Sequence, residues 1–289
     1  MHQLFRESQP DSASPCAYIG RSGGNCPDNP IGEKMEQKQT VAWSAMLTDA
    51  VTQPGIISKC YSTFHGYSIG NQMLAWSQCM ARQIELGPIA TYKRWSELGR
   101  QVSKGQKAIA LVMPLTINKK DSAGEKTGEI FSMFALKNNW FVLSQTEGAD
   151  FANEITIPAW DKAKALETLS IDEVQFTGAS GNCQGYASGK TIAINPLAIL
   201  PHKTRFHELA HVILGHTTED RMSDSESTPR DIREVEAESV AYILCSLLEL
   251  PGLTESRGYI QSWLSGAEIS DKSAQRIFSA ADKIFKAGA

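Results

Sequence analysis

The chain has 289 residues, 42% of them hydrophobic, and a net charge of −4; it is long enough for one large core or two ordinary ones, and two domains are expected. It has no apolar run near the ~20 residues that span a bilayer, and no basic-then-apolar leader pattern, so a cytoplasmic protein without a membrane partner is expected. The six cysteines are scattered without a C-x-x-C pair, which argues against a cysteine zinc site or a disulfide framework. The charge is uneven: residues 34–150 carry 13 basic and 9 acidic groups, residues 151–289 carry 13 and 19. The basic half is the candidate for an anionic partner.

Residues 1–34 are rich in Ser, Pro, Gly and Asn, lack periodicity, and read as a disordered tail. A first helix is expected over "TVAWSAMLTDAVTQPG", with Val41, Met46, Leu47 and Val51 at helical spacing and Pro54-Gly55 as its stop. "SIGNQMLAWSQCMARQI" reads as a second helix, stopped by Gly87-Pro88, and "TYKRWSEL" as a short third. The pattern then changes to strands: "KAIALVMPLTI", a polar loop over 118–129, and "IFSMFAL" and "NWFVLSQ" returning. Helices followed by strands predict an α+β domain over 35–150. A polar linker ends at Pro158. Within 151–289 a helix is expected from Trp160 to Leu169, strands at 174–178 and 190–196, and helices at 202–215, 230–249, 256–265 and 272–286.

The helix at 202–215 contains "HELAH", the pattern H-E-x-x-H. Four residues along a helix return to nearly one face, so His207 and His211 can reach one ion. Glu208 is one step on, beside the metal, where a carboxylate can act as the catalytic base. Two imidazoles among apolar neighbours need partners, which favours a metal over two idle histidines. A third protein ligand is required, and "REVEAESVAYILCSLLEL" supplies candidates. Glu234 and Glu238 share a face there, while Glu236 falls in the apolar stripe of Ile232, Val240, Ile243 and Leu247. The helical wheel leaves the choice among the three open. His216, five residues past His211, sits off the metal face and is expected to support or cap rather than bind.

"HELAH…LGH" followed by E-x-E-A resembles the ImmA-type zincin-like metallopeptidases. That resemblance implies Glu234 as third ligand and Glu238 as the carboxylate that orients a ligating histidine or the water. It also implies one Zn2+, with Mn2+ as the alternative, and Ala237 as a point of close helix approach.

In the basic half, Tyr92, Lys93, Arg94, Trp95, Arg100, Lys104 and Lys107 are opposed only by Glu97. Cations that follow phosphates and flat side chains that stack on bases suit single-stranded nucleic acid. "WSAMLTDAV", "FHGYSIGNQMLAW", "GPIATYKRWSELGRQVSKGQKAI" and "FVLSQTEG" resemble the N-terminal domain of ArdC-like antirestriction proteins. The resemblance covers about 35–289 and implies two domains: single-stranded-DNA binding over 35–150, and a zincin-like metallopeptidase domain with the HExxH helix over 151–289. It further implies a protein of plasmids or other mobile elements that protects incoming DNA from host restriction. A DNA-bound protein or a restriction component would be a further partner. The competing reading is an ImmA-like or SPRT-like protease that cleaves a repressor or a DNA-bound protein.

Overall fold

The computed structural model describes residues 41–120, 126–151, 158–177, 183–217, 229–264 and 269–289; for 118–120, 126–132 and 264 it describes the backbone alone. The expected tail lies outside the described residues, as does 152–157 of the expected linker. Gln39–Ala289 form one compact unit of mixed α and β structure.

Helix α1 (Trp43–Thr52) ends at Gln53, just before the predicted Pro54-Gly55 stop. Helix α2 (Ile56–Phe64) is an addition to the sequence reading. Its buried residues, Ile56, Ile57, Cys60, Tyr61 and Phe64, do recur at helical spacing. Nine residues are too few to hold a helix alone, and packing on α3 and α7 stabilises it. Helix α3 (Ile69–Arg82) begins where Ser68 Oγ accepts from the Asn71 N–H and ends at Gln83 in the left-handed region, φ 55°. It buries Met73, Leu74, Ala75, Trp76 and Cys79.

Strand β1 (Ile89–Thr91) leads into α4 (Tyr92–Glu97), then β2 (Arg100–Val102). Strands β3 (Ile109–Lys120) and β4 (Lys126–Val142) pair antiparallel as one long ribbon, with β1 on the other edge of β4. Two returning strands after a loop were expected; instead β4 is one strand of 17 residues, and both strands run into the stretch expected as a loop. A two-stranded ribbon leaves much of both faces in water, so polar residues do not end it. Strand β5 (Thr146–Gly148) pairs with β2.

Helix α5 (Lys162–Leu169) follows the linker. A small sheet has the order β6 (Asp172–Glu173), β8 (Thr191–Ile194), β7 (Gly185–Ser188), parallel then antiparallel. The strand expected at 174–178 is not formed over its described part; the pairing residues are the two before it. Strand β7 was not predicted, because four residues of "GYAS" at a sheet edge carry no alternation to read.

Helices α6 (Pro201–Leu214), α7 (Arg230–Leu247), α8 (Leu253–Leu264) and α9 (Asp271–Gly288) follow as expected. Every residue of α7 from 235 to 247 is buried. Helix α9 packs against α1, α3, α5, α6 and α7. Its Phe278 meets Trp43 with ring centroids 6.1 Å apart, and its Phe285 meets Tyr61 at 5.4 Å. Asp271 accepts from the Ser44 N–H at 2.8 Å, and Asp282 from the Ile69 N–H at 3.1 Å. The helices of the basic half therefore rest on the C-terminal helix through one continuous apolar core. No described helix is long and apolar enough to cross a membrane.

Candidate metal centre and nucleic-acid face

Helix α6 carries the H-E-x-x-H pattern. Pro201 fits its first turn, where a missing N–H costs nothing. Gly215 closes it at φ 78°, a conformation that disfavours a side chain. Phe206, Leu209 and Ala210 bury one face of α6, which sets the rotation of the other residues. His207 and His211 then bring their Nε2 atoms to 3.1 Å. Helix α7 packs alongside, with Ala237 fully buried. Glu234 on α7 places Oε2 3.4 Å from His207 Nε2 and 3.7 Å from His211 Nε2. Among the described residues, His207, His211 and Glu234 form the one cluster of candidate metal-holding groups, their ligand atoms all within 4.8 Å of one another.

The outer nitrogens of both rings are engaged. Glu238 Oε2 lies 3.0 Å from His207 Nδ1, and Glu238 Oε1 lies 2.7 Å from Lys203 Nζ. A carboxylate only accepts, so His207 Nδ1 carries the proton. Burial opposes the Glu238 charge, but hydrogen bonds from His207, Lys203 and Ser256 outweigh it and bring its pKa to about 2. For His207, too, burial works against the charge, and the carboxylates of Glu234 and Glu238 overcome it, raising its pKa to about 9. Burial and the neighbouring His207 lower His211 to about 4.

Glu236 is turned elsewhere. Its Oε2 lies 2.8 Å from His216 Nε2, and His216 Nδ1 lies 3.0 Å from His211 Nδ1. Ser273 Oγ and Arg276 of α9 close on the other oxygen of Glu236, and Arg276 also donates to the Leu214 carbonyl at 2.7 Å. Lys203, Ser273 and Arg276 gave no sequence signal; two of them lie about sixty residues from the histidines.

Glu208 is buried beside the cluster, 7% exposed. Burial raises its pKa to about 7, helped by the charge of Glu234 and opposed by His207. Gly185 of β7 makes this position possible. A Cβ there would lie 2.8 Å from Thr204 Cγ2, 3.0 Å from the Ala193 carbonyl oxygen and 3.2 Å from Glu208 Cγ.

This donor set fits a divalent cation. A tetrahedral site with bonds of ~2.0–2.1 Å separates its ligand atoms by roughly 3.3–3.4 Å, close to the observed 3.1, 3.4 and 3.7 Å. Two imidazole nitrogens and one carboxylate oxygen would hold such an ion by three protein ligands, where a closed structural site needs four.

The basic cluster divides. Lys93 and Arg94 stand on α4 beside Glu97, with side chains 89% and 60% exposed, and Tyr92 is 51% exposed. Lys104 and Lys107 are exposed on the stretch between β2 and β3. Trp95 is corrected: it is 1% exposed, donates from Nε1 to the Phe141 carbonyl at 2.8 Å, and packs edge-on to Phe151. It cannot stack on a base, because the amphipathic turn of α4 points it into the core. Arg100 is also committed, its guanidinium donating to Thr146 Oγ1 and to the carbonyls of Thr146, Gly148 and Ala149.

Comparison with known proteins gives a match to the family model described as the N-terminal domain of anti-restriction factor ArdC, over residues 29–139, beginning ahead of the expected boundary at 35. Two solved structures of the antirestriction ArdC protein from the R388 plasmid are similar. The Mn(II)-bound one has a TM-score of 0.51 and 21% identity, over 86% of this chain and 96% of that one. The metal-free one has a TM-score of 0.48 and 24% identity, over 85% and 93%. No curated protein matches. Over residues 29–139 the chain is similar to the N-terminal domain of anti-restriction factor ArdC, and its fold is similar to that of the R388 antirestriction ArdC protein.

Proposed function

We propose that this chain is an antirestriction protein of a plasmid or other mobile element. In this reading residues 35–150 hold single-stranded DNA without sequence preference, and residues 151–289 carry a zincin-like, metallopeptidase-like site for one divalent ion. The observation that carries the reading is the convergence of His207, His211 and Glu234 beside buried Glu208. It occurs in a chain whose fold is similar to a Mn(II)-bound antirestriction ArdC protein. His207, His211 and Glu234 would hold the ion, and Glu238 would orient His207. Two nitrogens and an oxygen suit Zn2+ or Mn2+. Bound there, a divalent cation supplies Lewis-acid chemistry. Glu208 would hold or move a proton at its carboxylate near neutral pH, as a general base does. On the DNA side, Lys93, Arg94, Lys104 and Lys107 would follow phosphates and Tyr92 would stack, while Trp95 and Arg100 support the surface that displays them.

A second reading, a protease acting on a repressor or a DNA-bound protein, is favoured by Glu208, since a structural metal site needs no buried proton carrier. DNA transfer into a restricting host, with wild type and Glu208→Ala compared, separates the two. Protection retained by Glu208→Ala leaves DNA holding as the function; protection lost makes hydrolysis part of it. Failure of the wild type to protect DNA would remove the antirestriction reading altogether.

A further inference from the structure

The side chains of Glu236 and His216 are only 1% and 4% exposed, and neither residue is among the three candidate ligands. Their arrangement has a direction. Glu236 accepts from Ser273 Oγ and faces Arg276, so it is a carboxylate with acceptors only. His216 Nε2, 2.8 Å away, must then donate to it. A neutral ring with its proton on Nε2 has a lone pair on Nδ1. That lone pair faces His211 Nδ1 at 3.0 Å, so His211 donates from Nδ1. The Nε2 of His211 is left with its lone pair turned toward His207 and Glu234.

We infer that His216 and Glu236 are positioning residues that fix the tautomer and ring orientation of His211 for a divalent cation, with Ser273 and Arg276 of α9 as their lock. This rests on the metal reading above. It makes the two histidines differ: Glu238 orients His207 directly, whereas a two-residue relay orients His211. An imidazole and a carboxylate buried only for packing would be replaceable by apolar residues at no loss; the directed chain of donors gives them a task instead. The relay also ends on the helix that carries α1 and α3, so the geometry at His211 is tied to the seat of the basic half.

The test uses the full chain with Co(II) as the probe, reading both affinity and the ligand-field absorption bands. His216→Phe and Glu236→Leu should each weaken binding about 10- to 100-fold, the usual effect of losing a ligand's hydrogen-bond partner, and should shift the bands. Glu236→Gln keeps a carbonyl acceptor for His216 and should bind more tightly than Glu236→Leu. Val240→Ala, a buried truncation on the same helix away from the relay, should lose thermal stability and keep both affinity and bands. Unchanged affinity and bands in folded His216→Phe and Glu236→Leu would overturn the inference, as would a Gln variant as weak as the Leu variant. Should a relay variant fail to fold, histidine 15N spectra of the metal-free wild type decide: an Nδ1–H tautomer for His211 supports the relay, and an Nε2–H tautomer overturns it. A wild type that binds no Co(II) refutes the metal reading itself, and the inference with it.

Discussion

The Nε2 atoms of His207 and His211 lie 3.1 Å apart, within hydrogen-bonding distance of each other. Each ring has its Nδ1 proton committed outward, so the two inner nitrogens share one proton in the metal-free chain. That proton belongs to His207, whose pKa is raised to about 9, while His211 is lowered to about 4.

A pH dependence follows from that shared proton. A cation needs the His207 lone pair, so binding below pH 9 expels a proton. Apparent affinity for Mn(II) should therefore rise roughly tenfold per pH unit between about pH 7 and 9 and level off above. Stability of the metal-free chain runs the other way. A raised pKa stabilises fully below the ordinary histidine value of 6.5 and is lost as pH rises through about 9. Mn(II) titrations under argon at pH 7, 8 and 9, with thermal melts of the metal-free chain, check both signs. A flat affinity across that range would show that His207 holds no proton in the cluster.

Metal content should depend on Glu234. Its carboxylate would be the third donor, and its side chain is 38% exposed, so Glu234→Ala should fold normally. Elemental analysis should find most of the metal gone from that variant. A fully metallated Glu234→Ala protein would transfer the third-ligand role to another residue.

Gly185→Ala should damage the site from behind. The added methyl meets Thr204 and Glu208 on α6 and the backbone of β8 at 2.8–3.2 Å, so α6 or β7 must shift. A cost of about 1–3 kcal/mol is expected for such overpacking, read by urea denaturation. Unchanged stability would mean that β7, an edge strand, gives way freely.

Tyr92 and Trp95 should separate DNA binding from folding. Trp95→Ala removes a buried ring and its hydrogen bond and should cost about 3–5 kcal/mol. Tyr92→Ala, at a half-exposed position, should change stability by less than about 0.5 kcal/mol yet weaken single-stranded DNA binding by about 1–3 kcal/mol. Replacing Lys93, Lys104 and Lys107 together by Ala should flatten the salt dependence of binding, since each lost phosphate contact releases fewer counterions. Urea denaturation reads the two stabilities, and fluorescence anisotropy on the full chain, with single-stranded and duplex oligonucleotides, reads the binding. Equal affinity for the two strand types would sink the single-strand assignment. The full chain is needed because α1–α3 are packed on α7 and α9, and a fragment ending near residue 150 would expose that core.

The long helices can be read from local pattern alone. Helices α3 and α9 are legible because their buried residues recur at helical spacing over three or more turns, α6 because Pro201 and Gly215 bound it, and α7 because it is a long stretch without Gly or Pro. The pairing of His207 with His211, and the place of Glu208 beside them, follow from helical geometry alone. What the helical wheel left open was the third carboxylate. Glu234, Glu236 and Glu238 lie within five residues of each other, and a wheel cannot say which neighbour each one meets. Tertiary packing separates the three: the crossing of α7 over α6 sends Glu234 toward the two Nε2 atoms, Glu238 to His207 Nδ1, and Glu236 to His216 and α9. Trp95 fell the same way. Its spacing from Lys93 and Arg94 suited a stacking face, but a six-residue helix has one buried side, and the β1–β4 sheet beneath it takes the largest ring. Local pattern reports periodicity within one element, whereas burial and hydrogen-bond partners depend on elements far away in the chain, and those contacts exist only once the chain has folded.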